Sequence, residues 1–343
     1  MPLTEKEFNL FKKYCELDGV SGYEHEVRRA LRKDYKKFKV QILGNDLGAV
    51  IAFKKSKVRN APKVLLDAHM DEVGFIVGYI KDNGLLQLIP IGGINLEEVK
   101  DAKYKLLLKD GETVFGTMVD IENQLFDFGF KSKEEALRSG VNYGNMVTFY
   151  KPFELIKNDL YTGKAIDDKY GIVLGLEILE YFNDIDLPFD LYVCGATQEE
   201  VGLRSAAAIA NQIDPDLVIA LDCSRAVNSD EGLGHMGQGV LLRFFDPSMI
   251  AFKELIELQK EACIASGANY QYFSTRGGTN AGMYHRSNKG IFTLNHCICA
   301  QDIHTDHTVM NSNDYQDAKK SLIELLTKFN KKTLDLLRKS RQC

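Results

Sequence analysis

The chain has 343 residues, 45% of them hydrophobic and 27% charged, which are ordinary values for a folded globular protein and exclude a low-complexity chain. Forty-three basic against forty-eight acidic residues give a net charge of −5, with basic clusters only at Lys54 to Arg59 and Arg338 to Arg341, so nucleic acid is not an expected partner. The start MPLTEKEF is charged with no apolar h-region, and no apolar stretch approaches the ~18 residues of a membrane helix, so neither a secretory leader nor a membrane span is expected and a cytoplasmic protein is.

A single core stops growing at roughly 250–300 residues, so the length predicts one domain with an insertion, or two domains. Thr4-x-x-Glu7 is a capping-box pattern opening an amphipathic run, and Ser21-x-x-Glu24 opens a second with Val27, Leu31 and Tyr35. A hairpin follows from Val40 to Phe53, turning near Asn45-Asp46, and then Lys63 to Ala68 reads as a strand buried on both faces. From about Glu72 to Tyr161, short β-rich runs alternate with turn signals at Lys81-Asp82-Asn83-Gly84, Gly92-Gly93 and Lys109-Asp110-Gly111. That texture is a small β module inserted at 72–161 into a unit made of 1–71 and 162–343.

Beyond it the pattern alternates. Helices are predicted over Tyr170 to Phe182, Arg204 to Asn211, Ile250 to Ser266 and Asp314 to Leu337, and strands over Phe189 to Cys194, Leu217 to Leu221 and Ile291 to Cys299. Strands alternating with helices imply an α/β fold, a mainly parallel sheet flanked by helices, and in such sheets functional groups collect at the carboxyl edge. The seven cysteines are an odd number spread through apolar segments, which suits reduced, buried thiols. Cys297 and Cys299 share one face of a strand but have no second pair to complete a zinc site, so they are expected to pack in the core.

Five strand ends or loops carry residues of the metal-ligand type: His69 with Asp71, Asp167 with Asp168, Glu199 with Glu200, Asp222, and Asp302 with His304. Taken singly, each has a structural explanation: a core histidine, a helix N-cap before Tyr170, a turn cap. Their recurrence at the ends of successive apolar segments is the signal, because buried unpaired charge is costly unless a cation is present. A mixed carboxylate and imidazole set suits Zn, Co or Mn, and a two-metal hydrolase is the reaction class it points to. Three liganding carboxylates against two divalent cations leave one positive charge in excess, which favours a bridging hydroxide as nucleophile. One glutamate to bind metal and one to move protons would account for the Glu199-Glu200 pair. Neighbours on an extended backbone point in opposite directions, so both can serve one site only if the chain turns there.

The stretches AHMDEVGF, GKAIDDKYG, ATQEEVGLRSA, ALDCS, RGGTNAG and DIHTDH stand in the order and approximate spacing of the M42 family of metallo-aminopeptidases, which this sequence resembles over essentially its whole length. The LDCS…GQGVLLRFFDP stretch is similar to the glutamyl aminopeptidase branch. The resemblance implies a zinc-peptidase-like catalytic unit with an inserted small β-barrel-like domain that serves oligomerisation, and dodecameric shells. It implies two divalent ions per subunit: His69, Asp167 and Asp222 around one, Asp167 bridging to a second held by Glu200 and His304. Glu199 would be the general base and later the general acid, Asp71 would orient His69, and Asp168 would shape the turn through a cis Asp-Asp bond.

Three departures stand out. The usual GGTDAG is Gly277-Gly278-Thr279-Asn280-Ala281-Gly282, the residues after His304 are Thr305-Asp306-His307, and the common GGW is Gly92-Gly93-Ile94, expected to touch only the β module. Peptide substrates are expected, and a preference for acidic N-termini would need a basic group in the pocket. Arg276 is the candidate, with a solvated surface arginine as the other reading. His285 and His307 are unassigned between pocket lining and ordinary surface or core histidines. Three rivals remain: a broad-specificity aminopeptidase, a glucanase-like hydrolase and a metal-stabilised peptide-binding assembly without catalysis. A glycosidase usually needs two carboxylates without a metal pair, and a structural site needs no free base such as Glu199.

Overall fold

The computed structural model describes residues 2–108, 111–227 and 233–341. Its larger sheet is centred on four parallel strands in the order Asp190–Ala196, Lys63–His69, Leu217–Arg225 and Phe292–Gln301. Antiparallel strands extend it on both sides: Val50–Lys54 and Gln41–Gly44 beyond the first, and Thr308–Asn311, Leu160–Gly163 and Glu154–Lys157 beyond the last. The sheet is therefore mixed as a whole, and its parallel core matches the predicted fold class.

The predicted two-sided burial of the central strands is visible residue by residue. Val64, Leu66, Leu191 and Val193 join the main core with the helices Glu5–Cys15 and Ile166–Tyr181, while Leu65, Tyr192 and Cys194 face the opposite layer with the helix Ala206–Ile213. The period of two in a strand sends alternate side chains to opposite faces, and helices cover both. Because parallel strands end at one edge, His69, the Gln198-Glu199-Glu200 segment and Asp302 emerge together there.

The inserted module closes on itself. Gly74–Ile80, Leu86–Ile91, Leu125–Asp127, Thr113–Asp120, Tyr104–Leu107 and Met146–Phe149 form a six-stranded barrel in that order around the cycle. Closure leaves no free sheet edge, and the interior is filled by Phe75, Tyr104, Phe126 and Phe149, with Tyr104 and Phe126 at right angles 4.8 Å apart. The strand Glu154–Lys157 and the first two residues of Leu160–Gly163, read from sequence as the end of the module at 161, are hydrogen-bonded into the large sheet instead. The turn at Lys81 to Gly84 closes a barrel hairpin, whereas Lys109 and Asp110 of the third turn signal lie outside the described residues.

Two helix readings change. The Thr4/Glu7 capping box forms on both sides, but the helix His25–Tyr35 starts without a side-chain cap. Ser21 donates to Asp71 at 2.6 Å and Glu24 accepts from the Gln198 amide at 3.2 Å, so the second box is spent on the loops behind the sheet edge. The long C-terminal helix is two, Ser312–Lys328 and Lys331–Ser340, broken where Phe329 turns extended to bury its ring against Phe189 and Asn330 caps the next helix. Among the described residues six cysteines are free and buried, Cys297 and Cys299 in one small cluster with Leu241 and Phe273. Among the described residues no helix is long and apolar enough to cross a membrane.

Candidate metal centre

Two trios of ligand-type atoms converge at the sheet edge and share one residue. His69, Asp167 and Asp222 offer atoms all within 4.8 Å of one another, and so do Asp167, Glu200 and His304. His69 is the last residue of its strand, and Asp222 lies on the neighbouring strand Leu217–Arg225. Asp167 opens the helix Ile166–Tyr181 in a non-helical conformation behind Ala165, whose φ is 56°, and the Asp167-Asp168 peptide bond is cis. Gln198 at 56° and His304 at 66° are also left-handed, a conformation that costs roughly 1–3 kcal/mol outside glycine and clusters at functional sites.

The spacing fits divalent ions. Ligand atoms held at ~2.0–2.2 Å from a tetrahedral ion stand ~3.3–3.6 Å from each other. His69 Nε2 is 3.3 Å from Asp167 Oδ1, His304 Nε2 is 3.6 Å from Asp167 Oδ2, and His304 Nε2 is 3.2 Å from Glu200 Oε2. Asp167 Oδ1 and Glu200 Oε1 are buried without a hydrogen-bond partner, as atoms reserved for a cation would be. The donor set, carboxylate oxygens with imidazole nitrogens, suits Zn, Co or Mn.

The electrostatics agree with the geometry. Burial lifts Glu199 and Asp222 well above ordinary carboxyl values, with neighbouring carboxylates adding to the effect, and lifts Glu200 to about 7. Burial opposes the charged form of His304, but Glu200 and Asp167 outweigh it and raise the imidazole to about 9. Burial works on Asp167 as well, yet His304 and His69 hold it below the usual carboxylate range. The protein alone is short of positive charge here.

Glu199 and Glu200 lie in one turn. The strand ends at Ala196, Gln198 is left-handed, and the Gly202 and Leu203 amides close back on the Glu199 carbonyl at 3.0 and 2.9 Å. Asp71 holds that turn from beneath: its Oδ1 accepts from the Glu199 amide at 3.1 Å and its Oδ2 from the Glu200 amide at 3.2 Å and from Ser21 Oγ at 2.6 Å. The orienting contact to His69 differs from the expected one. His69 Nδ1 lies 3.1 Å from the main-chain oxygen of Asp71, while the Asp71 carboxylate is 3.6 Å away. Asp168 accepts from the His69 amide at 3.0 Å and from the Gly171 amide at 2.9 Å, and the buried Lys169 ammonium donates to the Met70 carbonyl at 2.5 Å.

A cavity of about 620 Å³ opens over the two trios. Its carboxylates are Asp167, Glu199, Glu200 and Asp222, and it is also lined by Arg225, Arg243 and Arg276. Arg243 is buried against Asp246 at 2.9 Å and also meets Ser224 Oγ and the Gly277 carbonyl, and Arg225 donates to the Ile303 carbonyl at 3.0 Å. Arg276 is exposed on the rim with no hydrogen bond or ion pair to a described residue. His285 bonds the Ser248 carbonyl at 3.0 Å and His307 pairs with Asp306 at 2.7 Å, and neither lines the cavity.

Sequence reasoning missed three contributors. Arg243 sits mid-strand in LLRFFD, and a charge there with Asp246 three residues on was the available signal. Asn280 is not a simple loss of a carboxylate: its Nδ2 donates at 2.8 Å to Asp67, which also accepts from Tyr284 Oη at 2.7 Å. Asp67 is thus the buried carboxylate of this layer, and a second one at 280 would face it at hydrogen-bond range. The Gly92-Gly93 segment was expected to stay within the barrel, but Gly93 lines the cavity and its carbonyl lies 2.7 Å from His304 Nδ1.

A family model described as M42 glutamyl aminopeptidase matches residues 48–320. A glutamyl aminopeptidase of Lactococcus lactis subsp. cremoris (strain MG1363) is 32% identical, with 94% of this chain and 96% of that protein covered. Among solved structures, a TET aminopeptidase from the marine sediment archaeon Thaumarchaeota archaeon SCGC AB-539-E09 has a TM-score of 0.92 at 29% identity, covering 96% of this chain and 98% of that one. The TET1 peptidase of Pyrococcus horikoshii, described as assembling into a tetrahedron or a large octahedral shell, has a TM-score of 0.84 at 24% identity, covering 94% and 100%. At that identity the likeness is one of fold.

Proposed function

The chain belongs to the M42 family of metallo-aminopeptidases, and from that premise we propose a dinuclear enzyme that removes the N-terminal residue of peptides and prefers acidic residues there. The observation that carries the reading is the pair of trios sharing Asp167, with Glu199 in the same cavity but in neither trio. His69, Asp167 and Asp222 would hold one ion and Asp167, Glu200 and His304 the other. Two bound cations supply Lewis-acid polarisation of the scissile carbonyl and a water acidified to about pKa 7.

The rest is the work of the chain. The Glu199 carboxylate takes the proton of the attacking water and returns it to the leaving amine, a role that needs a carboxylate near the reacting atoms and free of other ligands. Asp71 fixes where that carboxylate stands by holding the Glu199 amide.

Support for acidic preference comes from the arginines that line the cavity. Arg243 and Arg225 are committed to protein acceptors, so Arg276 brings the least compensated charge to the cavity. The expected result is that Glu- and Asp-p-nitroanilides are cleaved with higher kcat/KM than Leu- or Lys-p-nitroanilide. Arg276→Met lowers the Glu/Leu ratio by about 10-fold or more, the scale of one charge-assisted contact. A ratio that stays put in the variant removes Arg276 from the pocket, and a broad wild-type profile returns the enzyme to the non-selective reading.

Assembly is part of the proposal. Ile89, Phe115, Val119 and Tyr143 of the barrel are 41 to 55% exposed, apolar surface that a neighbouring copy would cover. A homo-oligomer built through the barrel, a dodecamer in the family pattern, follows, with the enzyme in the cytoplasm.

A further inference from the structure

The two halves of the site are held by different parts of the molecule. His69 is oriented by the main chain of Asp71, two residues away in its own segment. His304 is oriented from a distance of 211 residues by the Gly93 carbonyl, which belongs to the loop after the barrel strand Leu86–Ile91. A carbonyl can only accept, so this contact requires the proton of a neutral His304 to sit on Nδ1 and leaves Nε2 bare toward Glu200 and Asp167.

The same loop touches the other residue of that trio. Gly92 is left-handed at φ 84°, and a Cβ there would lie 2.6 Å from Val73 Cγ1 and 3.4 Å from Glu200 Cβ. Gly93 is in ordinary contact range of the imidazole itself, with His304 Nδ1 3.5 Å from where its Cβ would stand. The helix that follows, Leu96–Val99, carries Glu98, which pairs with the cavity arginine Arg225 at 3.6 Å. No contact of this kind reaches His69 or Asp222 from the barrel among the described residues.

We propose that the Gly92-Gly93 loop of the barrel is a positioning element for the Glu200 and His304 half of the metal pair, so that the inserted module completes the active site. The inference rests on the dinuclear reading. Outer partners that orient a metal-bound imidazole are worth about 10–100-fold in metal affinity, and the loss here falls on one ion of two.

The test titrates Co2+ into chelator-stripped full-length protein, with calorimetry and metal content per chain as readouts. Wild type takes up two ions per chain, and Gly92→Ala keeps one at wild-type affinity while the other weakens about 10–100-fold. Gly140→Ala controls for strain in the barrel, since Gly140 is also left-handed at φ 90° but faces open space, and it keeps both ions. Should Gly92→Ala lose wild-type circular dichroism, the double variant V73A/G92A takes its place: it removes the methyl at 2.6 Å but keeps an L side chain at a φ of 84°, so the same ion is expected to weaken, toward the lower end of that range. Two wild-type affinities in the folded variant overturn the proposal, as does equal weakening of both ions. Fewer than two ions on the wild-type chain overturn the dinuclear reading itself, and the proposal with it.

Discussion

Glu199→Gln lowers kcat by about 10²–10⁴-fold and leaves two ions on each chain, whereas Glu200→Gln loses metal. The two residues are adjacent and their side chains are both enclosed, so their different fates follow from geometry alone. Glu200 Oε2 stands 3.2 Å from His304 Nε2 within the second trio, and its Oε1 is buried without a partner. Replacing that carboxylate with an amide removes a charged ligand and puts N–H donors where an acceptor is needed. Glu199 belongs to neither trio, so its amide analogue keeps the shape of the turn and loses only the ability to take a proton. Metal content by mass spectrometry beside initial rates separates the two, and equal metal loss in both variants would contradict the assignment.

Asp71→Ala has the second large effect, and it reaches activity through the backbone. The carboxylate is fully buried and accepts the amides of both glutamates together with Ser21 Oγ. Without it two buried N–H groups lose their acceptor at about 1–3 kcal/mol each, so a loss of about 2–6 kcal/mol in stability is expected. Turnover falls with it, because the Glu199-Glu200 turn is no longer held. The His69 ring keeps its contact to the main-chain oxygen at position 71, so the ion of the His69 trio stays bound more tightly than that of the Glu200 trio. Thermal melts with metal titrations read both effects. If Asp71 instead served only His69, the His69 trio would weaken and the Glu200 trio would not.

The parts of this site that could be read from sequence are those whose signal is local. A charged or imidazole group at or just beyond the end of an apolar run announces itself in a few residues: His69 ends its strand, Asp222 follows the apolar run Leu217 to Leu221 although the strand continues to Arg225, and Asp167, Glu200 and His304 come a few residues after theirs, before the chain brings all five together. The need for a turn at Glu199-Glu200 was legible too, since neighbours on a strand diverge, and the left-handed Gln198 supplies it.

What could not be read depends on contacts made across the fold. Ser21 and Glu24 match a helix cap by spacing, but Ser21 donates to Asp71, 50 residues away, and Glu24 shares one oxygen between the local Gly22 amide and the Gln198 amide 174 residues away. Asn280 looks like a lost charge until the neighbouring strand shows Asp67 beside it. Gly93 carries no side chain to signal anything, and its carbonyl matters only because barrel closure returns that loop to the sheet edge. The break at Phe329 is a matter of burial, decided by a pocket near Phe189 rather than by helix propensity.

The central claim is that two ions, held by trios that share Asp167, carry the peptidase activity. Reconstitution tests it most directly: strip the protein with chelator, add back Zn, Co or Mn in steps, and follow release of the N-terminal residue from Glu-p-nitroanilide against bound metal per chain. The expected curve stays near zero in stripped protein and reaches full rate only as occupancy approaches two. Full activity in the stripped protein, or none from any of the p-nitroanilides at two ions per chain, would contradict the account.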